Sequence, residues 1–202
     1  DRERVMHEVR NAADQGDYVV VNSHSHEPGN GSQTPPEWMV EFTHQVIDAG
    51  ANTFIIHGPH QLRGIEIYNG RPIFYSLANF IFQNETVELQ PHDNYAGLDL
   101  PHEAQPGEFQ DVRIERAGSR SFPAGKWFWE SVVPVVEFQG GELAEVRLYP
   151  ITLGFGLPRS VRGRPMLADA ALGQEILEGL AKLSTPYGTS LKIEGGVGVI
   201  RP

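Results

Sequence analysis

Residues 52–83 read NTFIIHGPHQLRGIEIYNGRPIFYSLANFIFQ, and this stretch decides the fold. An apolar, β-rich run from Thr53 to Ile56 stops at His57-Gly58-Pro59-His60. A second run, Gly64 to Tyr68, turns at Asn69-Gly70 and returns as Arg71 to Ser76. Asn-Gly between two alternating apolar runs predicts a tight hairpin, because both residues tolerate the positive φ its turn demands. Upstream the arrangement recurs: the run Tyr18-Val19-Val20-Val21-Asn22 stops at Ser23-His24-Ser25-His26-Glu27. Two strands thus each deliver a pair of histidines at their C-terminal end. In α/β sheets, ligands gather at the carboxyl ends of strands.

Working outward, residues 1–15 place Val5, Met6, Val9 and Ala12 or Ala13 on one face of an amphipathic helix ended by Gly16. A strand over Asp17–Asn22 follows, then a Gly/Pro/Ser/Asn loop over residues 25–35. Thr34 is the expected N-cap of a second helix, with Pro35 or Pro36 at its first position and Glu37 at capping-box spacing. That helix carries Trp38, Met39, Phe42, Val46 and Ile47 on one face to Asp48, with Gly50 as its stop. Helix–strand–helix–strand–hairpin reads as α/β, and residues 1–83 form its histidine-bearing core. Residues 84–126 are rich in Pro, Asp, Gly and Gln and read as a long excursion, functional loop or linker, with a short helix or two near Glu108–Arg116. Residues 127–202 complete the same domain. Trp127-Phe128-Trp129 opens a second β region, and Ser131–Phe138 and Leu143–Ile151 flank a glycine turn at Gln139–Glu142. A Gly/Pro/Arg loop over 152–165 leads to a helix over Asp169–Leu183. The tail Thr189–Ile200 is a β-type run weakened by Gly195, Gly196 and Gly198.

The chain of 202 residues is long enough for one full core. Sixteen Lys and Arg against 26 Asp and Glu, a net charge of −10, argue against a broad face for nucleic acid. No apolar run approaches the roughly 18 residues of a membrane span, and no signal peptide is visible. The chain opens at Asp1 directly in a helical pattern, so it is expected to be a processed product or part of a longer chain. With no cysteine, any metal must be held by imidazole nitrogen and carboxylate or amide oxygen, which suits Zn, Mn or Fe.

The residues offer one sharp chemical reading: a metal site built from His24, His26, His57 and His60. Four of the eight histidines lie in these two strand-end segments. The alternative is four loop histidines in ordinary hydrogen bonds, since neither H-x-H nor H-x-x-H alone is a metal signature. Arg159, Arg162 and Arg164 either grip a carboxylate or phosphate polymer or decorate a solvated loop. The aromatic run at 127–129 either stacks on a sugar or packs in the core.

The string IDAGANTFIIHGPHQLRGIEIYNGRPIFYSLANFIFQ (47–83), with VVNSHSHE (20–27), WESVVPVVEF (129–138) and LSTPYGTSL (183–191), resembles the CapA family of capsule synthesis proteins, of the poly-γ-glutamate biosynthesis type. The resemblance covers most of the chain and corresponds to the C-terminal half of such a protein. It implies an α/β fold of calcineurin-like metallophosphatase type, two mixed sheets packed between helices around a divalent centre of Mn, Fe or Zn that can be dinuclear. His24 would match an isolated histidine ligand, and His57 and His60 the two histidines of the last motif. His26 and Glu27 would line the pocket and move a proton, while Glu66 and Asn79 would hold ligands or loops in place. Glu66 reads equally as a solvated hairpin residue. Two departures stand out: Ile56 and Gly58 replace the usual Gly and His, and Ala78 replaces the Gly of the SLGNF pattern. The family's remaining ligands lie in an N-terminal half, so that half or another chain is expected to complete the site. The function implied is metal-dependent hydrolysis or transfer on an anionic polymer or phosphoester at the cell surface. The alternative is a non-catalytic surface or assembly protein that reuses the fold.

Overall fold

The computed structural model describes residues 1–117 and 124–202. In chain order its elements are α1 (Arg2–Ala13), β1 (Val20–His24), α2 (Glu37–Asp48), β2 (Thr53–His57), β3 (Ile65–Tyr68), β4 (Arg71–Phe74), α3 (His92–Ala96), α4 (Pro106–Ala117), β5 (Glu130–Gln139), β6 (Glu142–Thr152), β7 (Met166–Leu167), α5 (Ala170–Ser184), β8 (Lys192–Glu194) and β9 (Val197–Ile200).

A first sheet runs β1-β2-β4-β3. β1, β2 and β4 are parallel, and β3 returns antiparallel on β4 through Asn69-Gly70, whose φ values of 48° and 70° are those of the expected turn. The second sheet is antiparallel, β5-β6-β9-β8 with β7 on β6. Period-two alternation along the strands decides which side chain meets which layer. Phe54, Ile56 and Ile73 face α1 and α2 in a core with Val9, Met39 and Val46. Ile65 and Phe74 join Val132, Val146 and Leu148 of the second sheet and Ile176, Leu177 and Leu180 of α5. The fold is therefore mixed α/β with two sheets and helices outside them, as the resemblance implies.

Five details refine or correct the sequence reading. β1 starts at Val20 because Val19 N–H is taken by the Asn52 side chain at 2.8 Å, before the ladder begins. Thr34 does not cap α2; its N–H and C=O are both engaged by the Ser32 hydroxyl, and Pro36 takes the extended cap conformation. Residues 84–117 hold two helices, whose Tyr95 and Phe109 rings pack 5.2 Å apart. Lys126–Trp129 is a 3-10 turn rather than a strand start, and it buries Phe128 and Trp129. The tail forms the hairpin β8–β9, its turn falling on Gly195-Gly196.

Candidate functional site

The parallel pair β1–β2 ends with His24 directly beside His57. Pairing continues one step beyond, where Ser25 N–H donates to His57 C=O at 2.8 Å. This close approach requires Gly58: its φ is +130°, and a Cβ there would collide with the backbone of Ser25. The departure from the family string at position 58 thus brings the two histidine-bearing loops together.

The imidazoles His24, His26 and His60 gather at this end of the sheet. Ring centroids lie 5.1 Å apart for His24 and His26 and 5.2 Å apart for His26 and His60. Their hydrogen bonds fix the tautomers. Asn79 donates its amide N–H to Phe128 C=O at 2.8 Å, which turns its oxygen toward His60 Nδ1 at 2.8 Å. His60 Nδ1–H is therefore the donor, and Nε2 carries the lone pair. His57 Nδ1 donates to Ala78 C=O at 3.3 Å, and His26 Nδ1 to the Asn30 side-chain oxygen at 2.8 Å. In all three rings Nε2 is thus the unprotonated nitrogen. His26 Nε2 accepts from His24 Nε2, 3.2 Å away. Burial pulls the His60 pKa below its usual value, with His26 and His24 adding to the effect and Asn79 opposing it.

Residues that no local spacing singles out lock the two loops together. The Gln61 side chain donates to Asn30 C=O. Fully buried Arg63 donates from Nε to Ser32 C=O at 3.0 Å, and its Nη2 lies 3.5 Å from Gly29 C=O. Burial depresses the pKa of this guanidinium. These contacts span about thirty residues of chain, so no periodicity reveals them, but they fix Asn30 and through it His26.

The other expected site residues are placed differently. Glu27 accepts from Trp38 Nε1 at 2.9 Å on the exposed surface. Glu66 is neither a solvated hairpin residue nor a partner of the strand-end histidines. Its carboxylate accepts from Tyr75 OH at 2.5 Å and lies 3.0 Å from His44 Nε2, with His44 stacked on Tyr68. Arg159 pairs with Asp111 of α4, and Arg162 lies over the Trp129 ring at 5.4 Å. Trp129 in turn packs edge-on against Phe82, so two of the three aromatics at 127–129 serve the core.

A metal ligand histidine donates its second ring nitrogen to an oxygen, as His26, His57 and His60 do. Each ring alone fits that role. As a set they do not close around one ion: among the described residues no group of three or more His, Asp or Glu converges for a metal. Nor is any helix among them long and apolar enough to cross a membrane.

Residues 1–84 match the family described as bacterial capsule synthesis protein PGA_cap. The uncharacterized protein y4sH of Sinorhizobium fredii is 39% identical over 202 residues, which cover 98% of this chain and 44% of that protein. The PGA biosynthesis protein CapA of Bacillus subtilis is 39% identical over 74 residues, 37% of this chain and 19% of that protein. The capsule biosynthesis protein CapA of Bacillus anthracis is 38% identical over 66 residues, 33% of this chain and 16% of that protein. The chain spans less than half the length of these relatives.

Proposed function

The chain is related to the CapA-type family of capsule synthesis proteins and corresponds to its C-terminal half, and from that premise we propose that it acts in the synthesis of a capsule or other cell-surface polymer through a metal-dependent, hydrolase-like site. The observation that supports this most is the shared tautomer of His26, His57 and His60, each with Nδ1–H held by an oxygen and Nε2 unprotonated. A divalent Mn, Fe or Zn ion there would supply Lewis acidity toward a phosphoester or an amide-linked anionic polymer. His57 and His60 carry an unprotonated Nε2, the form a metal ligand needs. His24 can offer its own only in the tautomer that carries its proton on Nδ1, which ends the bond to His26 Nε2, 3.2 Å away. By the family resemblance His24 is the third ligand, and His26 the residue that takes up and returns a proton. Glu27, engaged with Trp38, is the weaker candidate for proton transfer. Oxygen donors would come from polypeptide outside these residues.

That no three donors converge among the described residues favours a second reading, a non-catalytic assembly protein of the cell surface. Elemental mass spectrometry of the natively purified chain separates the two. One or two equivalents of Mn, Fe or Zn, lost in a His57→Ala/His60→Ala double variant, support the hydrolase-like site. A metal-free wild-type chain overturns a site held by these histidines alone and favours the assembly role.

A further inference from the structure

We infer that the cavity between α5 and the two histidine-bearing loops is a saccharide subsite, which seats one hydroxylated ring against Trp127. The cavity has a volume of about 310 Å³, with Leu62, Ile176, Leu180 and Leu183 among its apolar lining. Gln33, in the loop after β1, and Gln61, in the loop after β2, also line it, and Gln61 directly follows His60. A volume near 300 Å³ lies at the small end of ligand sites, which suits a single ring.

Two features keep this space open. Trp127 is the member of the 127–129 run that the core does not take: it is 39% exposed, against 2% for Phe128 and 3% for Trp129. Its position is nonetheless fixed, because the Phe128 ring packs 5.5 Å away and a Cβ on Gly125 would lie 2.5 Å from the indole. The second feature is Gly179 of α5. Glycine inside a helix weakens it relative to alanine. At Gly173 of the same helix the reason is packing, since a Cβ would stand 3.1 Å from Pro150 Cγ. At Gly179, which lines the cavity, a Cβ would meet no atom of the described residues within 4 Å. Helix stability is forgone there for the sake of the cavity alone.

The polar lining selects the ligand. Glu130 Oε1 is buried and accepts no hydrogen bond, although Lys126 Nζ stands 3.3 Å away. A buried acceptor of this kind wants a donor, and a hydroxyl supplies one. The other charges are already matched. Lys126 Nζ donates to both oxygens of Glu175 at 2.9 and 2.7 Å, Glu178 accepts from the Gln174 amide at 2.8 Å, and Lys182 adds a cation to the lining. An ionic ligand of either sign would meet a like charge here. Hydroxyls both donate and accept, so they suit carboxylates, amides and an ammonium side by side. The weakly positive C–H face of a pyranose in turn complements the negative face of an indole. The inference rests on this cavity and not on metal chemistry.

The test uses the 202-residue chain in buffer containing chelator. Methyl β-glucoside and N-acetylglucosamine are the probes, with cadaverine and glutarate as cationic and anionic controls. Saturation-transfer NMR and titration calorimetry follow binding. The expected result is transfer to the ring protons of at least one saccharide, with a dissociation constant on the order of millimolar. Trp127→Ala, which removes the aromatic wall, and Gly179→Gln, which fills the cavity, should each weaken binding about tenfold or more, while Trp127→Tyr retains it. Gly179→Gln should melt at or above wild type, so its loss of binding is not a loss of fold. Absence of binding by both saccharides overturns the proposal, as does binding indifferent to both Trp127→Ala and Gly179→Gln. Binding of cadaverine or glutarate in place of the saccharides also overturns it and assigns the cavity to an ion. A metal-free chain leaves the subsite standing, and a chain that holds metal but no saccharide overturns the subsite alone.

Discussion

Ala78 holds a backbone conformation, φ +58°, that side chains with a Cβ avoid. It stands where the family string has Gly, and its carbonyl accepts the His57 Nδ1–H bond, so the strain is stored directly behind a site imidazole. The left-handed region costs a residue with Cβ roughly 1–2 kcal/mol, while glycine forfeits about 0.4–1 kcal/mol through the freer unfolded chain. Ala78→Gly should therefore raise stability by up to about 1.6 kcal/mol, read as a higher urea midpoint at unchanged slope; a lower midpoint would refute the strain. Glu130 carries a different local cost. Its largely buried carboxyl is pushed up in pKa by desolvation, against the pull of Lys126 Nζ at 3.3 Å. A folded pKa above the unfolded one means that the group's contribution is full below the unfolded value and is lost as pH rises through the folded value. Glu130→Gln should thus melt above wild type at pH 8, with the gap closing by pH 4. A Glu130→Gln variant that melts below wild type at pH 8 would show that the Lys126 pair outweighs desolvation.

At the scale of elements, what sequence shows is what has a local period or a local turn. The β1 and β2 runs, the Asn69-Gly70 hairpin, the stripe of Leu172, Ile176, Leu177 and Leu180 on α5, and the helical tendency near Glu108–Arg116 all follow from spacing within one segment. The histidines at two strand ends were legible for the same reason, and β1–β2 pairing sets them side by side. What stayed hidden needed contacts across the chain. The Thr34 cap fails because Ser32 reaches its backbone first. Glu66 points to His44 of a helix twenty-two residues upstream in sequence. The clamp of Gln61 and Arg63 on carbonyls 29–32 joins two loops that no periodicity relates. That clamp makes its own prediction. Arg63→Met removes two charge-assisted bonds, each worth about 1.5–3 kcal/mol, so local opening of the loop becomes easier by about 3 kcal/mol and amide exchange over residues 29–33 should quicken on the order of 100-fold. Unaltered exchange there would mean that Gln61 alone, or the loop's own turns, hold His26 in place.

On the scale of the whole molecule, one helix joins what the sequence separates. α5 comes from the last part of the chain, yet Ile176, Leu177 and Leu180 share a core with Ile65 and Phe74 of the first sheet and Val146 and Leu148 of the second. Its C-terminal Ser184 also satisfies Ile65 N–H, sealing the β3 edge. Leu177 is fully buried, and it stands so close to Gly198 of β9 that a Cβ there would meet its Cδ2 at 2.8 Å. Leu177→Ala opens a cavity in this shared core and should cost about 2–5 kcal/mol. If the two sheets unfold as one unit, the loss appears equally in far-ultraviolet circular dichroism, which reports the whole chain, and in the fluorescence of Trp38 in a Trp127→Phe/Trp129→Phe background, which reports only α2 beside the first sheet. Coincident transitions shifted together establish that the histidine-bearing sheet depends on α5 for its stability. A Trp38 transition that keeps its wild-type midpoint would instead make the first sheet, with its strand-end histidines, a separately folding unit.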